Sequence, residues 1–471
     1  MTDKMVCSEK LNVEGKRALV VGLAKSGLGA VRLLQALRAK VFITDSRPEE
    51  ELCDFKKKVT GEFVLFAGGH ESVPVSTMDL AVISPGIPWN SSFLTRLRES
   101  GVKVVSELEF ASQHTKAPVI AITGTNGKTT TATLLTEILT GAGKSVFTGG
   151  NIGVPLSEHA LSKTSVDYIV CEVSSFQLEG IRRFRPKISL ILNITPDHLD
   201  RHKDMDEYAG LKNRIFENQS AGDVLILNGD DEGLSKVTPP AGVKVRKFSA
   251  KRKVEGGAYA LGEALFFDEE GKEKQFCEKV DISLTGSHNV ENVLAAALAA
   301  RFCGISHDDI RKGISGLTGI RHRMEVVAIV NEVTFINDSK GTNVGAAEKS
   351  IRSFGGSVIL IAGGKDKGGD YTPLINAIKE KVKHLVLIGE AGEKISGLLN
   401  GYEKRTTALT MDEAVGKAVE KAGRGDVVLL SPACSSFDMF TGYEERGEMF
   451  KKSVEKFMNL NASATEEKES A

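Results

Sequence analysis

Pro118-Val-Ile-Ala-Ile-Thr123 runs directly into Gly124-Thr125-Asn126-Gly127-Lys128-Thr129-Thr130, and this junction decides the fold. The β-branched apolar run reads as a buried strand, and Thr129 to Thr140 has helical character. A glycine-rich turn between a strand and a helix lets backbone N–H groups converge on phosphate oxygens. A lysine there supplies charge, and the next hydroxyl can ligate Mg²⁺. The helix N-terminus adds its dipole. The spacing is G-x-x-G-K-[ST], shorter than the strict P-loop pattern, because Ile122 stands where that pattern needs its first glycine. A plain structural turn is the competing reading, and the strand–loop–helix context favours nucleotide binding.

Outward from this junction, strands and helices alternate in both directions, which predicts parallel sheets and an α/β fold. Upstream, Arg17–Gly22 and Lys40–Thr44 flank a helix over Leu28–Ala39, a βαβ unit. Its turn, Gly22-Leu-Ala-Lys25-Ser26-Gly27, fails the dinucleotide fingerprint because position 24 is alanine. A plain βαβ turn is the competing reading; if the turn binds a ligand, it and the helix start suit a diphosphate, and Asp45 at the next strand end suits a ribose hydroxyl or a base N–H. Leu80–Ser84 runs into Ser84-Pro-Gly, another strand-end turn. Downstream, strands are expected at Tyr168–Val173, Ile188–Ile194 and Val224–Asn228. Alternation and turn glycines over Lys244–Ile282 suggest a small antiparallel patch, and Asn289–Arg301 is an alanine-rich helix. A third unit shows strands at Val333–Ile336, Ser357–Ala362, His384–Ile388 and Asp426–Leu430. Boundaries are expected near residues 115 and 322, giving segments 1–115, 116–322 and 323–460, with a polar, acidic tail over 461–471.

Composition narrows the function classes. A net charge of −1 gives no global field for nucleic acid or an anionic membrane. The six cysteines are scattered without metal spacing, as expected of reduced thiols in a cytoplasmic protein. The first residues carry no apolar signal core, and no apolar run is long enough to span a bilayer.

Further polar clusters follow predicted strands. Glu172, at a strand end, is a natural partner for the Mg²⁺ of a phosphate loop. Asn193-Ile-Thr-Pro-Asp197-His198-Leu-Asp-Arg-His202 could ligate metal or position a nucleophile; a capped, solvated loop is the alternative. In the third unit, Arg323, Asn337-Asp338-Ser339-Lys340-Gly341-Thr342-Asn343, the loop Gly363–Gly369 and Ser431–Phe437 place cations and hydroxyls where a carboxylate-bearing substrate could be held.

GTNGKTT, EVSSFQLE, NITPDHLDRH, GSHNVENVLAA, INDSKGTN and SPACSSFDMF, in this order, resemble the Mur ligases, and SPGIP with the GLAKSG turn extends the likeness into the first unit. EVSSFQLE, SPGIP and SPACSSFDMF resemble the D-glutamate-adding branch. The resemblance implies three domains: a Rossmann-like UDP-binding domain, a central P-loop-like ATPase domain and a C-terminal Rossmann-like domain. It implies ATP-driven amide formation through an acyl phosphate, with two Mg²⁺ ions, and UDP-N-acetylmuramoyl-L-alanine and D-glutamate as substrates. It further implies a cytoplasmic monomer without nucleic-acid partners or membrane insertion.

By the same resemblance, Gly124 to Thr130 hold the phosphates with Lys128. Thr129, Glu172 and His198 ligate metal, joined by Lys212 if carbamylated. Asn292, Arg323 and Asp338 contact adenine, phosphate and ribose. Lys340, Thr342, Lys367, Ser436 and Phe437 surround D-glutamate, with Lys365 the alternative to Lys367. Lys25, Ser26, Asp45 and Arg47 contact the uridine diphosphate, and Ser84 and Asn151 its sugar and diphosphate. Tyr443 stands where the family often has phenylalanine. A related ligase using another amino acid, a folylpolyglutamate-type ligase and a P-loop ATPase switch are the alternatives.

Overall fold

The structure, a computed structural model, describes residues 10–162, 164–197, 201–282, 284, 288–317, 319, 321–366 and 368–469. The described residues form three sheets. They are distributed over two compact units, the first built on Met1–Ile194, Asp204–Cys277 and Leu294–Gly313, the second on Thr195–Lys203, Glu278–Val293 and Ile314–Ala471.

The first unit holds two sheets. The N-terminal one comprises β1 (Arg17–Val21), β2 (Lys40–Asp45), β3 (Val64–Ala67), β4 (Leu80–Ile83) and β5 (Lys103–Ser106). Its order is β3-β2-β1-β4-β5, with every pairing parallel. The chain steps outward from β1 in one direction and from β4 in the other, so the C-terminal ends of β1 and β4 form the topological switch point. The helix Lys25–Ala36 packs on this sheet. Gly27 permits its start, because a Cβ there would lie 1.9 Å from the Gly22 carbonyl oxygen.

The second sheet contains β6 (Val119–Thr123), β7 (Val146–Gly150), β8 (Tyr168–Glu172), β9 (Ile188–Ile191), β10 (Val224–Asn228), β11 (Lys244–Ser249), β12 (Ala258–Leu261), β13 (Ala264–Glu269) and β14 (Lys272–Glu278). Its order is β14-β13-β12-β11-β10-β9-β6-β8-β7. β6 lies between β8 and β9, parallel to both, and is buried along its whole length. That two-sided burial explains its unbroken apolar run. The Lys244–Ile282 segment contains the expected antiparallel pairing at β12–β13 and departs from it at β11. β11 pairs parallel to β10 and β12 parallel to β11, and the antiparallel β12–β13 pairing extends the same sheet. Alternating polarity there reports an edge exposed on one face, and it carries no information about strand direction.

Between the two sheets, β5 ends at Ser106 and β6 begins at Val119, with the helix Glu107–Ser112 in the interval. Ser106 caps that helix, accepting from the Glu109 N–H. The Glu109 carboxylate in turn accepts from the backbone N–H groups of Arg182, Arg183 and Phe184, which ties the connector to the second sheet. One apolar cluster runs from Val20 and Leu34 to Ile169 and Leu225.

The second unit contains β15 (Glu325–Val330), β16 (Val333–Asn337), β17 (Val358–Gly363), β18 (Val382–Ile388), β19 (Arg405–Thr407) and β20 (Val427–Ala433), in the order β15-β16-β20-β17-β18-β19. β15 and β16 form an antiparallel hairpin whose turn residues, Asn331 and Glu332, both have positive φ. Such a turn matches strand twist. Along β17, Val358, Leu360 and Ala362 face one core, and Ile359 and Ile361 the other. The final helix, Tyr443–Glu469, continues through residues 461–469, where composition suggested a tail. Alanine, glutamate and lysine in that stretch are good helix formers.

Candidate functional site

The phosphate loop leaves β6 at the position where β8 and β9 flank it, so three strand ends converge. Gly124 has φ 147°, and a Cβ on it would meet the Leu192 Cβ at 3.0 Å. Gly127, at φ 86°, precedes the helix Lys128–Gly141. Asn193, just beyond β9, clamps the loop. Its side chain accepts from the Asn126 N–H at 2.8 Å and donates to the Asn126 carbonyl at 3.1 Å, and its backbone carbonyl accepts from Thr125 at 2.9 Å. The Lys128 ammonium donates to the Gly124 and Thr125 carbonyls. Thr130 is buried in the first turn of that helix.

Glu172 is buried at the end of β8. It accepts from the Thr129 hydroxyl at 2.7 Å, and the Asn151 amide lies 3.4 Å from its other oxygen. The Lys212 side chain, on the helix Met205–Asn213, is buried and donates to the Gly124 carbonyl at 3.0 Å. Its ammonium lies 4.5 Å from the Tyr208 ring centroid, and the Tyr208 hydroxyl is 3.3 Å from that of Thr125. Sequence reasoning missed Tyr208. An aromatic on a polar helix carries no local sign that it faces a phosphate loop. Lys128, Thr129, Glu172 and Lys212 are thus brought together as expected. His198 lies outside the described residues. Among the described residues no group of three or more His, Cys, Asp or Glu is placed to hold a metal ion. The paired Thr129 and Glu172 oxygens are nevertheless the hard donors Mg²⁺ takes.

Beside the switch point of the N-terminal sheet, at the end of β2, Asp45 is buried and accepts from the Leu23 N–H at 2.7 Å and from the Arg47 guanidinium through both oxygens. Burial works to raise its carboxyl, but Arg47 and the two backbone N–H groups outweigh it and hold the pKa at about 2. The Ser84 hydroxyl donates to the Gly22 carbonyl at 2.7 Å, joining β4 to the β1 turn. Lys25 and Asn151 are exposed and Ser26 is half-buried.

In the second unit, the ends of β16, β20 and β17 carry the remaining candidates. Asp338 is buried. Its Oδ2 accepts from Ser350 at 2.7 Å and Ser431 at 2.8 Å, and its Oδ1 from the Met324 N–H at 3.3 Å. Burial raises its pKa to about 6, against the opposing pull of the two serines, Arg323 and Met324. The Lys340 ammonium sits 3.6 Å from the Tyr443 ring centroid, so tyrosine at this position forms a cation–π contact. Ser436 is buried and Phe437 is 69% exposed. Asn292 is buried and donates to Asn289. Thr342 lines a cavity of about 410 Å³ with Asn343, Asp366, Tyr371 and Ala433. Lys367 lies outside the described residues. Arg446, which sequence reasoning did not single out, is almost wholly buried and donates to Ser339, Cys434 and Ser435. It fixes two of the three strand-end loops at once.

Comparison with known proteins assigns the chain to a family. Residues 16–106 match the Mur ligase MurD-like N-terminal domain, 122–300 the Mur ligase middle domain and 322–434 the Mur ligase glutamate ligase domain. The UDP-N-acetylmuramoylalanine–D-glutamate ligase of Geotalea daltonii is 43% identical over 94% of this chain and 98% of its own. The enzyme of that name from Koribacter versatilis is 44% identical over 95% and 98%. Among solved structures, a pseudomurein peptide ligase type C from Methanothermus fervidus superposes with a TM-score of 0.60 at 20% identity, covering 94% of this chain and 100% of that one. The MurF ligase of Thermotoga maritima, in complex with ADP, gives 0.60 at 16%, covering 94% and 98%. The chain belongs to the Mur ligase family. Among the described residues, no helix is long and apolar enough to cross a membrane.

Proposed function

We propose that this chain joins D-glutamate to UDP-N-acetylmuramoyl-L-alanine at the expense of ATP, in peptidoglycan precursor synthesis. The observation that carries this reading is the convergence of Lys128, Thr129, Glu172 and Lys212 on one phosphate loop, in a chain over 40% identical to ligases of that name. The γ-phosphoryl group passes to the alanyl carboxylate, releasing ADP and forming an acyl phosphate. The D-glutamate amine attacks the acyl carbon, and the tetrahedral adduct expels phosphate to leave the amide.

The chain's contribution is positioning and charge neutralisation. Loop N–H groups and Lys128 hold the phosphates. Thr129 and Glu172, with His198 and a carbamylated Lys212, are the groups to hold two Mg²⁺ ions, which when bound neutralise charge on the phosphates. Asp45 and Arg47 present the uridine site, and Ser84, Lys25, Ser26 and Asn151 its diphosphate and sugar side. By the family resemblance we assign Asn292, Arg323 and Asp338 to nucleotide contacts, and Lys340, Thr342, Lys367, Ser436 and Phe437 to the amino acid. We assign the enzyme to the cytoplasm, acting as a monomer on soluble substrates.

Phosphate release from ATP and Mg²⁺ with UDP-N-acetylmuramoyl-L-alanine, plus and minus D-glutamate, tests the reading. Release that requires both substrates supports it. Release with a different amino acid would reassign the member, and release from ATP alone would turn the reading to an ATPase switch.

A further inference from the structure

The cavity beside Thr342 poses an electrostatic problem for an acidic amino acid. Asp197, Glu348, Asp366 and Asp370 line it, against one described ammonium, that of Lys349. A dicarboxylate entering such a hollow meets like charge, which disfavours binding. One of these carboxylates is built into a network. Asp366 Oδ2 accepts from the Lys394 ammonium at 2.6 Å, and its Oδ1 accepts from the Tyr371 hydroxyl at 2.9 Å and the Gly368 N–H at 3.0 Å.

Tyr371 is 4% exposed, its hydroxyl also lies 3.3 Å from the Cys434 thiol, and Lys394 sits over its ring at 5.1 Å. The neighbouring backbone is joined to the same loop, since Lys365 and Ser435 exchange N–H to carbonyl bonds. Burial works against the Asp366 charge, but Lys394 and Tyr371 hold its carboxyl below the ordinary range, so it is ionised and compensated.

We propose that Lys394, Asp366 and Tyr371 form a latch that positions Lys365 and Asp366, at the end of β17, against the loop after β20 and neutralises the cavity wall, which sets the affinity for an acidic amino acid. The three are positioning residues, and the idea rests on the function proposed above. Lys394 removes the Asp366 charge from the field felt by the substrate. Tyr371 ties Asp366 to the loop after β20, because its hydroxyl reaches the Asp366 carboxylate and the Cys434 thiol at once.

The test is steady-state phosphate release by the full chain at saturating ATP, Mg²⁺ and UDP-N-acetylmuramoyl-L-alanine, with D-glutamate varied. Lys394→Met should raise KM for D-glutamate on the order of two- to fivefold, the range for a partly exposed ion pair, with kcat and KM for ATP within about twofold. Asp366→Asn keeps the acceptor for Tyr371 and should hold KM at or below the wild-type value. Adding Lys394→Met to Asp366→Asn should then change little, since no charge remains to neutralise. Tyr371→Phe should raise KM for D-glutamate with an unchanged melting temperature. The latch is overturned if Lys394→Met and Tyr371→Phe leave that KM unaltered, if KM for ATP rises in step with it, or if Lys394→Met acts equally in the Asp366→Asn background. Failure of the underlying function would show in the wild-type chain, as release that does not require D-glutamate, whereas failure of the latch shows only in the variants.

Discussion

Lys128 and Lys212 direct their ammonium groups at one oxygen: the Gly124 carbonyl accepts from Lys128 at 2.8 Å and from Lys212 at 3.0 Å. Two cations sharing one acceptor lie no more than about 6 Å apart, close enough for each to disfavour the other's charge. Bound phosphate relieves this, and so does turning one amine into an anionic carbamate. We predict the change at Lys212, because it is buried on a separate helix while Lys128 belongs to the loop. Lys212→Ala should therefore lose D-glutamate-dependent phosphate release and regain part of it when a short carboxylic acid supplies the missing oxygens. An intact-mass increase for one carbamate on the wild-type chain, absent from the variant, would corroborate this. No rescue at any acid concentration would argue that Lys212 acts as an ammonium.

Lys128→Ala removes the loop's own cation. Charge that develops on the transferring phosphoryl group is then uncompensated, and a loss of about 10²-fold or more in kcat is expected. A melting temperature near the wild-type value would assign that loss to catalysis and not to unfolding. Turnover near the wild-type rate would sink the assignment of this loop to phosphate.

Gly27 tests the N-terminal site through sterics alone. A methyl group 1.9 Å from the Gly22 carbonyl oxygen cannot fit without moving the β1 turn, to which Ser84 is bonded. Gly27→Ala should cost about 1–3 kcal/mol of stability and raise KM for the UDP-substrate while sparing KM for ATP. Denaturant melts and the two KM values check it, and an equal rise in both would remove Gly27 from the uridine side.

Asp338 makes stability pH-dependent in a stated direction. Its folded pKa of about 6 lies above the ordinary value of 3.8. Between these values the folded state binds more protons than the unfolded state, so its contribution to stability falls as pH rises from about 4 to about 6. Asp338→Asn should flatten that part of the pH–stability profile and gain on the order of 2 kcal/mol above it. Activity should fall if Asp338 faces the ribose. A profile unchanged by the substitution would show that the two serines compensate the charge fully.

What the sequence made legible follows the range of the interactions. The Gly124–Thr130 loop, the β1 turn and the strand ends carrying Glu172 and Ser431 are local, since glycine φ preferences, apolar runs and a lysine at fixed spacing all speak within a dozen residues. Lys212 and Tyr208 are set by a helix packing back on the loop from about 80 residues away, and only the family resemblance singled out Lys212. The parallel pairing of β11 was hidden for the same reason. Partner choice in a sheet is non-local, and alternation reads the same in either direction.

Arg446 is the plainest case of a residue invisible in sequence and central in space. Its guanidinium donates to the Ser339 carbonyl and hydroxyl and to the Cys434 and Ser435 carbonyls, and it is 1% exposed. Burial pushes its pKa down to about 10, so it remains charged at neutral pH. Arg446→Met matches its bulk but leaves several buried oxygens without donors, a loss of about 3–5 kcal/mol. Arg446→Lys restores charge without the fork that spans both loops. It should recover part of the stability while KM for D-glutamate stays high, because one ammonium cannot hold the Ser339 and Cys434 segments together. Denaturation midpoints and KM for the three proteins settle the matter: recovery of both by lysine would show that charge alone is needed there, and recovery of stability only would show that the guanidinium sets the spacing of the amino-acid loops.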